Sequence, residues 1–140
     1  MKISIDEIID AIEMADDNSQ AFYNADTGKI EWLGDFMDGE EYDELVERIE
    51  FGNYISLPSK YDIDEYSIME EYIYSLPTGE VQNKLQSAIM GKGAFRRFKD
   101  AVNYLGIAKE WFSFRDETYR SIAVQWCREH GFKERNEIIQ

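Results

Sequence analysis

One cysteine, one histidine and two prolines are all that 140 residues hold of the types that staple, ligate and break. A single cysteine, Cys127, cannot close an internal disulfide, and without a second cysteine or histidine none of the common zinc spacings can be written. No metal and no cofactor is therefore expected, and a reducing cytoplasm is the compartment that fits. Eighteen apolar residues never follow one another, and no apolar run stands behind a basic N-terminus, so neither a membrane span nor a signal peptide is predicted. The phosphate-loop spacing G-x-x-x-x-G-K-[ST] is missing, and with one histidine no nucleophile triad can be assembled.

Positive charge is scarce as well. Fifteen Lys and Arg face 29 Asp and Glu, a net charge of −14. A disordered acidic tail would be poor in rings, whereas this chain is 44% hydrophobic and 14% aromatic, enough to bury a core in a chain of this size. A single folded domain over residues 1–140 is expected. The charge is uneven: residues 1–80 carry 4 basic and 22 acidic residues, a net of −18, and residues 81–140 carry 11 and 7, a net of +4. Segments of opposite sign either attract one another within one fold or face different partners.

The apolar spacing gives an α+β order. Ser4-Ile5-Asp6-Glu7 reads as a capping box opening a helix to about Asp16, with Ile5, Ile8, Ile9 and Ile12 on one stripe. Ala21–Asn24 and Lys29–Leu33 read as strands of a hairpin around Asp26-Thr27-Gly28, where glycine supplies a positive φ. An acidic loop over 34–41, a short helix through Tyr42, Leu45, Val46 and Ile49, and a third strand over Tyr54–Leu57, stopped by Pro58, complete the first half. These strands predict a small antiparallel sheet of about three strands with helices packed on it.

From Asp64 the period is helical, giving a helical C-terminal half. Tyr66, Met69, Tyr72, Ile73 and Leu76 form a stripe ended by Pro77. Thr78 then caps a helix that turns Val81, Leu85, Ala88 and Ile89 inward, with Gly91 as its C′ residue. The following helix places Phe95, Phe98, Ala101, Val102 and Leu105 on one arc and stops at Gly106. Trp111, Phe112 and Phe114 predict a short helix or turn. A last helix carries Tyr119, Ile122, Ala123 and Trp126 to a stop at His130-Gly131-Phe132, and Glu134–Gln140 is expected to fray.

Few motifs carry chemistry. Asp26-Thr27-Gly28 is the tripeptide of aspartic proteases, but a hairpin tip favours Asp and Gly for backbone reasons alone. His130 stands where a helix C-terminus favours a cap, and Cys127 beside Trp126 reads as a buried thiol. The acidic pairs Asp16-Asp17, Glu40-Glu41 and Glu70-Glu71 fit no cation loop. The run Gly91–Asp100 holds four cations and no anion before Asp100. Lys92, Gly93, Arg96, Arg97 and Lys99 are the candidate contact set for an anion or a partner, at a helix start whose N–H groups are free. Asp100, at i+4 from Arg96 and i+3 from Arg97, is placed to pair with either.

The chain resembles a bacterial family known only as uncharacterised protein family 0158. The residues that carry the resemblance are Phe22-Tyr23-Asn24-Ala25-Asp26-Thr27-Gly28, Gly91-Lys92-Gly93-Ala94-Phe95-Arg96-Arg97-Phe98-Lys99-Asp100, Trp111-Phe112, Phe114-Arg115-Asp116-Glu117 and the segment from Ala123 to Gly131. It spans about residues 20–131 and implies a bacterial cytoplasmic protein, with no catalytic residue to carry over.

The leading functional expectation is a non-enzymatic protein–protein interaction or regulatory module, using either the acidic or the basic, aromatic-rich half. The alternative is nucleic-acid or phosphate binding through the basic stretch 91–99. Such binding would weaken steeply with salt and act against the overall negative charge. An enzyme of unassigned class stands third, with no motif behind it.

Overall fold

A computed structural model describes residues 3–132 and 138–139. Among them the order is β1 (Ile3–Ser4), α1 (Ile5–Met14), β2 (Ser19–Asn24), β3 (Lys29–Gly34), α2 (Gly39–Phe51), β4 (Tyr54–Ser56), α3 (Glu65–Ser75), α4 (Glu80–Ala88), α5 (Ala94–Tyr104), α6 (Ala108–Glu129) and β5 (Ile138–Ile139). The fold is α+β, with the three-stranded antiparallel sheet in the N-terminal half and helices throughout the C-terminal half. Two compact units form: residues 1–63 together with 119–140, and residues 64–118.

In the first unit the sheet order is β3-β2-β4, so β2 is central. Its alternation buries Ala21 and Tyr23 on one face, as a half-covered antiparallel strand requires. The hairpin closes as an Asx-turn: Asn24 Oδ1 accepts from the Asp26 and Thr27 N–H groups at 2.9 and 3.3 Å, and Gly28 takes φ 75°. Ile5, Ile8, Ile9 and Ile12 of α1 are buried with Leu45, Leu57, Tyr119, Ala123, Trp126, Cys127 and Phe132. Trp126 Nε1 donates to the Ser56 carbonyl at 2.9 Å, and Phe132 lies 5.3 Å from Tyr23 and 5.4 Å from Trp126 by ring centroids. A two-stranded parallel pairing of β1 with β5 was not foreseen from the sequence.

The second unit is helical. Tyr72 is the hub of its rings, with centroids 6.5 Å from Phe98, 5.4 Å from Trp111 and 5.3 Å from Phe114. Ile68, Met69, Ile73, Leu85, Ile89, Ala94 and Val102 are buried with them. Gln82 Nε2 donates to the Ile73 and Leu76 carbonyls at 2.9 and 3.1 Å, satisfying groups that the last turn of α3 leaves open before Pro77.

Several local expectations change. The Ser4 hydroxyl accepts from the Asp6 N–H at 3.1 Å, and a capping box forms at α2, between Asp38 and Glu41. Gly79, not Thr78, precedes α4, without a side-chain bond, and Val81 is 40% exposed rather than inward. Gly91 has the expected positive φ but lies two residues beyond the C-cap, Ile89. The aromatic segment and the last helix are one helix, α6, of 22 residues. Neither Gly nor Pro interrupts it, so crowded rings are no reason for the backbone to break. Its stop is the expected Schellman motif: the Phe132 N–H donates to the Cys127 carbonyl at 2.9 Å, and the Gly131 N–H to that of Arg128. The expected fraying segment 134–140 lies, apart from β5, outside the described residues.

Candidate functional site

The basic run occupies the end of α4, a turn and the start of α5 in the second unit. Gly93 is the N-cap of α5 in the left-handed conformation, with no side-chain hydrogen bond of its own. The turn leaves carbonyls at the end of α4 and beyond it without helical partners, and Arg97 folds back over them. Its Nε donates to the Ala88 carbonyl at 2.9 Å, Nη1 to Lys92, and Nη2 to Met90 and, at 3.5 Å, to Gly91. A guanidinium suits this task because its five donors lie in one fixed plane. Arg97 therefore leaves the contact set and becomes a clasp of the turn, as does Gly93, whose missing side chain makes room for it.

Lys92, Arg96 and Lys99 remain exposed, and none of the three is ion-paired among the described residues. The expected neutralisation by Asp100 does not occur: no ion pair joins Asp100 to Arg96 or Arg97. Phe95, expected in the core, is 57% exposed and packs edge-to-face with the Tyr66 ring, centroids 6.5 Å apart. The true inward residue of that turn is Phe98, which is fully buried. Arg115 is turned to Glu65 at 3.8 Å. Burial pushes the Glu65 carboxyl above its ordinary range, and the Arg115 charge offsets part of this.

The first unit supplies a second surface, within the acidic half that the sequence offered as a partner face. Residues 1–63 and 119–140 hold 8 basic and 20 acidic residues, a net of −12. Helix α2 buries only Leu45. Opposite Leu45 run Glu40, Glu44, Glu47 and Phe51 at i, i+4, i+7 and i+11, one stripe on a helix. A hollow of about 490 Å³ is lined by Glu44, Glu47, Arg48 and Phe51, with the Phe51 ring 79% exposed.

The helix is anchored through Arg48 of the same lining. Arg48 reaches Glu31 of β3 at 3.5 Å, and Glu31 also accepts from Asn24 Nδ2 at 2.9 Å and the Tyr54 hydroxyl at 3.1 Å. Burial alone would push the Glu31 carboxyl up. The bonds from Asn24 and Tyr54 and the Arg48 charge outweigh that and hold it below the usual carboxylate range.

The chain belongs to uncharacterised protein family UPF0158. The family's model matches residues 1–137, a longer span than the motifs at 20–131 cover. No curated protein and no solved structure matches the chain.

Catalytic features are not brought together. Asp26 sits at the hairpin tip and accepts from Asn53 Nδ2 at 3.1 Å. His130 donates from Nδ1 to the Trp126 carbonyl at 2.8 Å, one turn back in α6. Cys127 is buried, and its thiol is pushed up to about 11 by that burial. A cleft of about 330 Å³ in the first unit is lined in part by Asp16, Asp17, Asp35, Tyr42 and Tyr61. Two of its carboxylates are already engaged: Asp16 Oδ1 accepts from the Asn18 N–H and the Ser19 hydroxyl, and Asp17 faces Lys60 at 3.4 Å. Among the described residues no group of three His, Cys, Asp or Glu is arranged to hold a metal ion, and no helix is long and apolar enough to cross a membrane.

Proposed function

We propose that this member of UPF0158 is a non-enzymatic protein-interaction or regulatory module of the bacterial cytoplasm, whose acidic first unit binds a basic protein partner through α2. The observation that carries the reading is the α2 stripe: Glu40, Glu44, Glu47 and the exposed Phe51 face outward from a helix that buries only Leu45. An aromatic ring set among carboxylates suits Lys and Arg, whose methylene stems lie on the ring while their charged heads meet the carboxylates. Charges of one sign over such a face also steer a basic partner toward it.

The test is copurification from the native host with wild type and with Glu40, Glu44 and Glu47 changed together to Gln. These three are the right residues because neutralising Asp38 or Glu41 would remove the capping box of α2. A specific basic protein retained by wild type and lost from the triple variant supports the reading. Recovery of nothing specific, or equal recovery by both proteins, overturns it.

A second reading is anion or nucleic-acid contact by Lys92, Arg96 and Lys99, favoured by the absence of ion pairs on all three among the described residues. Counterion release makes such binding fall steeply with salt. A low-salt gel shift that is absent, or unchanged by Arg96→Ala with Lys99→Ala, excludes it.

A further inference from the structure

Phe95 stands at the edge of the buried strip of α5, which is filled by Ala94, Phe98 and Val102. Outward from Phe95, at about 100° per residue, come Lys99 at about 40°, Asn103 at about 80° and Arg96 at about 100°, all of them exposed. The one carboxylate of α5, Asp100, lies beyond Arg96 at about 140°, so none stands between the ring and the two cations. Lys92 adds a third cation from the turn before the helix, where Arg97 Nη1 holds its carbonyl. The run Gly91–Lys99 contains no Asp or Glu, and the three cations have no ion pair among the described residues.

The ring is braced from one side. The Tyr66 hydroxyl donates to the Ile89 carbonyl at 2.8 Å, and the Tyr66 ring packs edge-to-face with that of Phe95. Such a pair covers at most one face of the Phe95 ring, and the residue is 57% exposed. An open aromatic face among unspent cations is how proteins hold single strands: a base stacks on the ring and the cations take the backbone.

We infer that this strip binds single-stranded nucleic acid, with a base stacked on Phe95 and the flanking phosphates on Lys92, Arg96 and Lys99. The inference rests on the second reading above and gives it a ligand class. A duplex satisfies the cations but keeps its bases stacked on one another, so it leaves the ring without a partner. A polycarboxylate chain also satisfies the cations and has no flat face to offer. The charge balance of the helical unit allows such a contact: residues 64–118 hold 7 basic and 9 acidic residues, a net of −2, against −12 for the first unit. The chain's −14 opposes a polyanion at long range, and salt screens that repulsion beyond roughly 10 Å at 0.1 M. Three cations on a single strand set a salt slope of about −2, at roughly −0.7 per contact. Affinity is therefore on the order of 10⁻⁵ M, falling roughly twentyfold between about 0.05 and about 0.2 M salt.

Fluorescence anisotropy of labelled oligothymidylate and oligouridylate of about 12 nucleotides, with the intact chain, tests this. Separate arms tell DNA from RNA, and binding of either supports the inference. Wild type is expected to bind the single strand with the stated slope, and at least about fivefold tighter than a duplex of the same length. Phe95→Leu keeps apolar bulk beside Tyr66 but removes the flat ring, and is expected to weaken binding roughly tenfold with the slope unchanged. Phe95→Trp restores a platform and is expected to bind as wild type does. Arg96→Ala with Lys99→Ala is expected to make the slope shallower by about 1.4. Circular dichroism checks that the variants fold, and the comparison of single strand, duplex and polyglutamate on wild type decides the question without them. Equal binding of the duplex, displacement by polyglutamate as effective as by unlabelled oligonucleotide, or undiminished binding by folded Phe95→Leu overturns the inference and leaves anion contact standing. Absence of binding to every polyanion at low salt overturns both.

Discussion

The guanidinium of Arg97 occupies the space that a side chain on Gly93 would need: a Cβ there would stand 2.9 Å from Arg97 Nη1. The two residues form one device. A left-handed glycine turns the chain into α5, and an arginine one turn later reaches back through the gap to hold the carbonyls of the turn. The most basic segment of the sequence is thus partly a fold element, which separates the consequences of mutating adjacent arginines.

Arg97→Ala is expected to destabilise the protein by about 1–2 kcal/mol, the net worth of charge-assisted hydrogen bonds whose acceptors can be rehydrated. Arg96→Ala, which removes only an exposed side chain, is expected to fall within about 0.5 kcal/mol of wild type. Arg97→Lys should recover little, because one ammonium cannot span Ala88, Met90 and Lys92 as a planar fork does. Urea unfolding of the three variants measures this. Equal effects at 96 and 97 would refute the clasp.

Gly93→Ala is expected to cost about 1–2 kcal/mol, since φ is 78° there and a Cβ is strained in that region. The Arg97 guanidinium must also shift. Combining Gly93→Ala with Arg97→Ala should therefore cost less than the two single changes added together, because they share one site. Strict additivity in a double-mutant cycle would show that the two residues act separately.

For Glu31 the native carboxyl lies below its ordinary value, so the unfolded chain binds its proton more tightly than the native one. Its stabilising contribution is complete above the unfolded value and is lost as pH falls through the lowered native value. Glu31→Gln is accordingly expected to lose about 1 kcal/mol at pH 7, with the gap to wild type closing in acid. Thermal unfolding of both proteins from pH 7 down to about pH 3 reads this. A gap that stays constant across that range would assign the loss to shape rather than to charge.

Cys127 is fully buried, and its thiol is raised to about 11. The thiolate is the reactive form, so native protein at pH 8 is expected to resist a thiol-reactive dye and to react stoichiometrically once unfolded in guanidinium. Rapid labelling of native protein would show that the last turns of α6 open readily.

The elements built from short-range rules were legible in the sequence. The isoleucine period of α1, the Asp-Thr-Gly turn of the hairpin, the antiparallel set of three strands and the Gly131-Phe132 stop all follow from backbone conformations and apolar spacings that neighbouring residues impose on one another. Where two local signals competed, spacing alone misled. The rings at 111–114 suggested a break, but nothing in the backbone chemistry of 108–129 opposes a single helix, and packing around Tyr72 uses those rings. Phe95 shares an arc with Phe98 on a helical wheel, yet the width of the buried strip depends on what packs against it, and that strip runs through Ala94, Phe98 and Val102 and leaves Phe95 outside.

The charged surfaces divide the same way. The sequence by itself determined the imbalance of −14 and the concentration of cations after residue 80, because these are properties of composition and order along the chain. Only the tertiary structure decided which charges are spent. Arg97 turns to four carbonyls and Arg48 to Glu31, while Lys92, Arg96 and Lys99 are left without ion pairs among the described residues. Whether a cation is used up depends on which open backbone groups and carboxylates the folded chain brings within about 3 Å of it, and residues that are remote in sequence supply many of those partners.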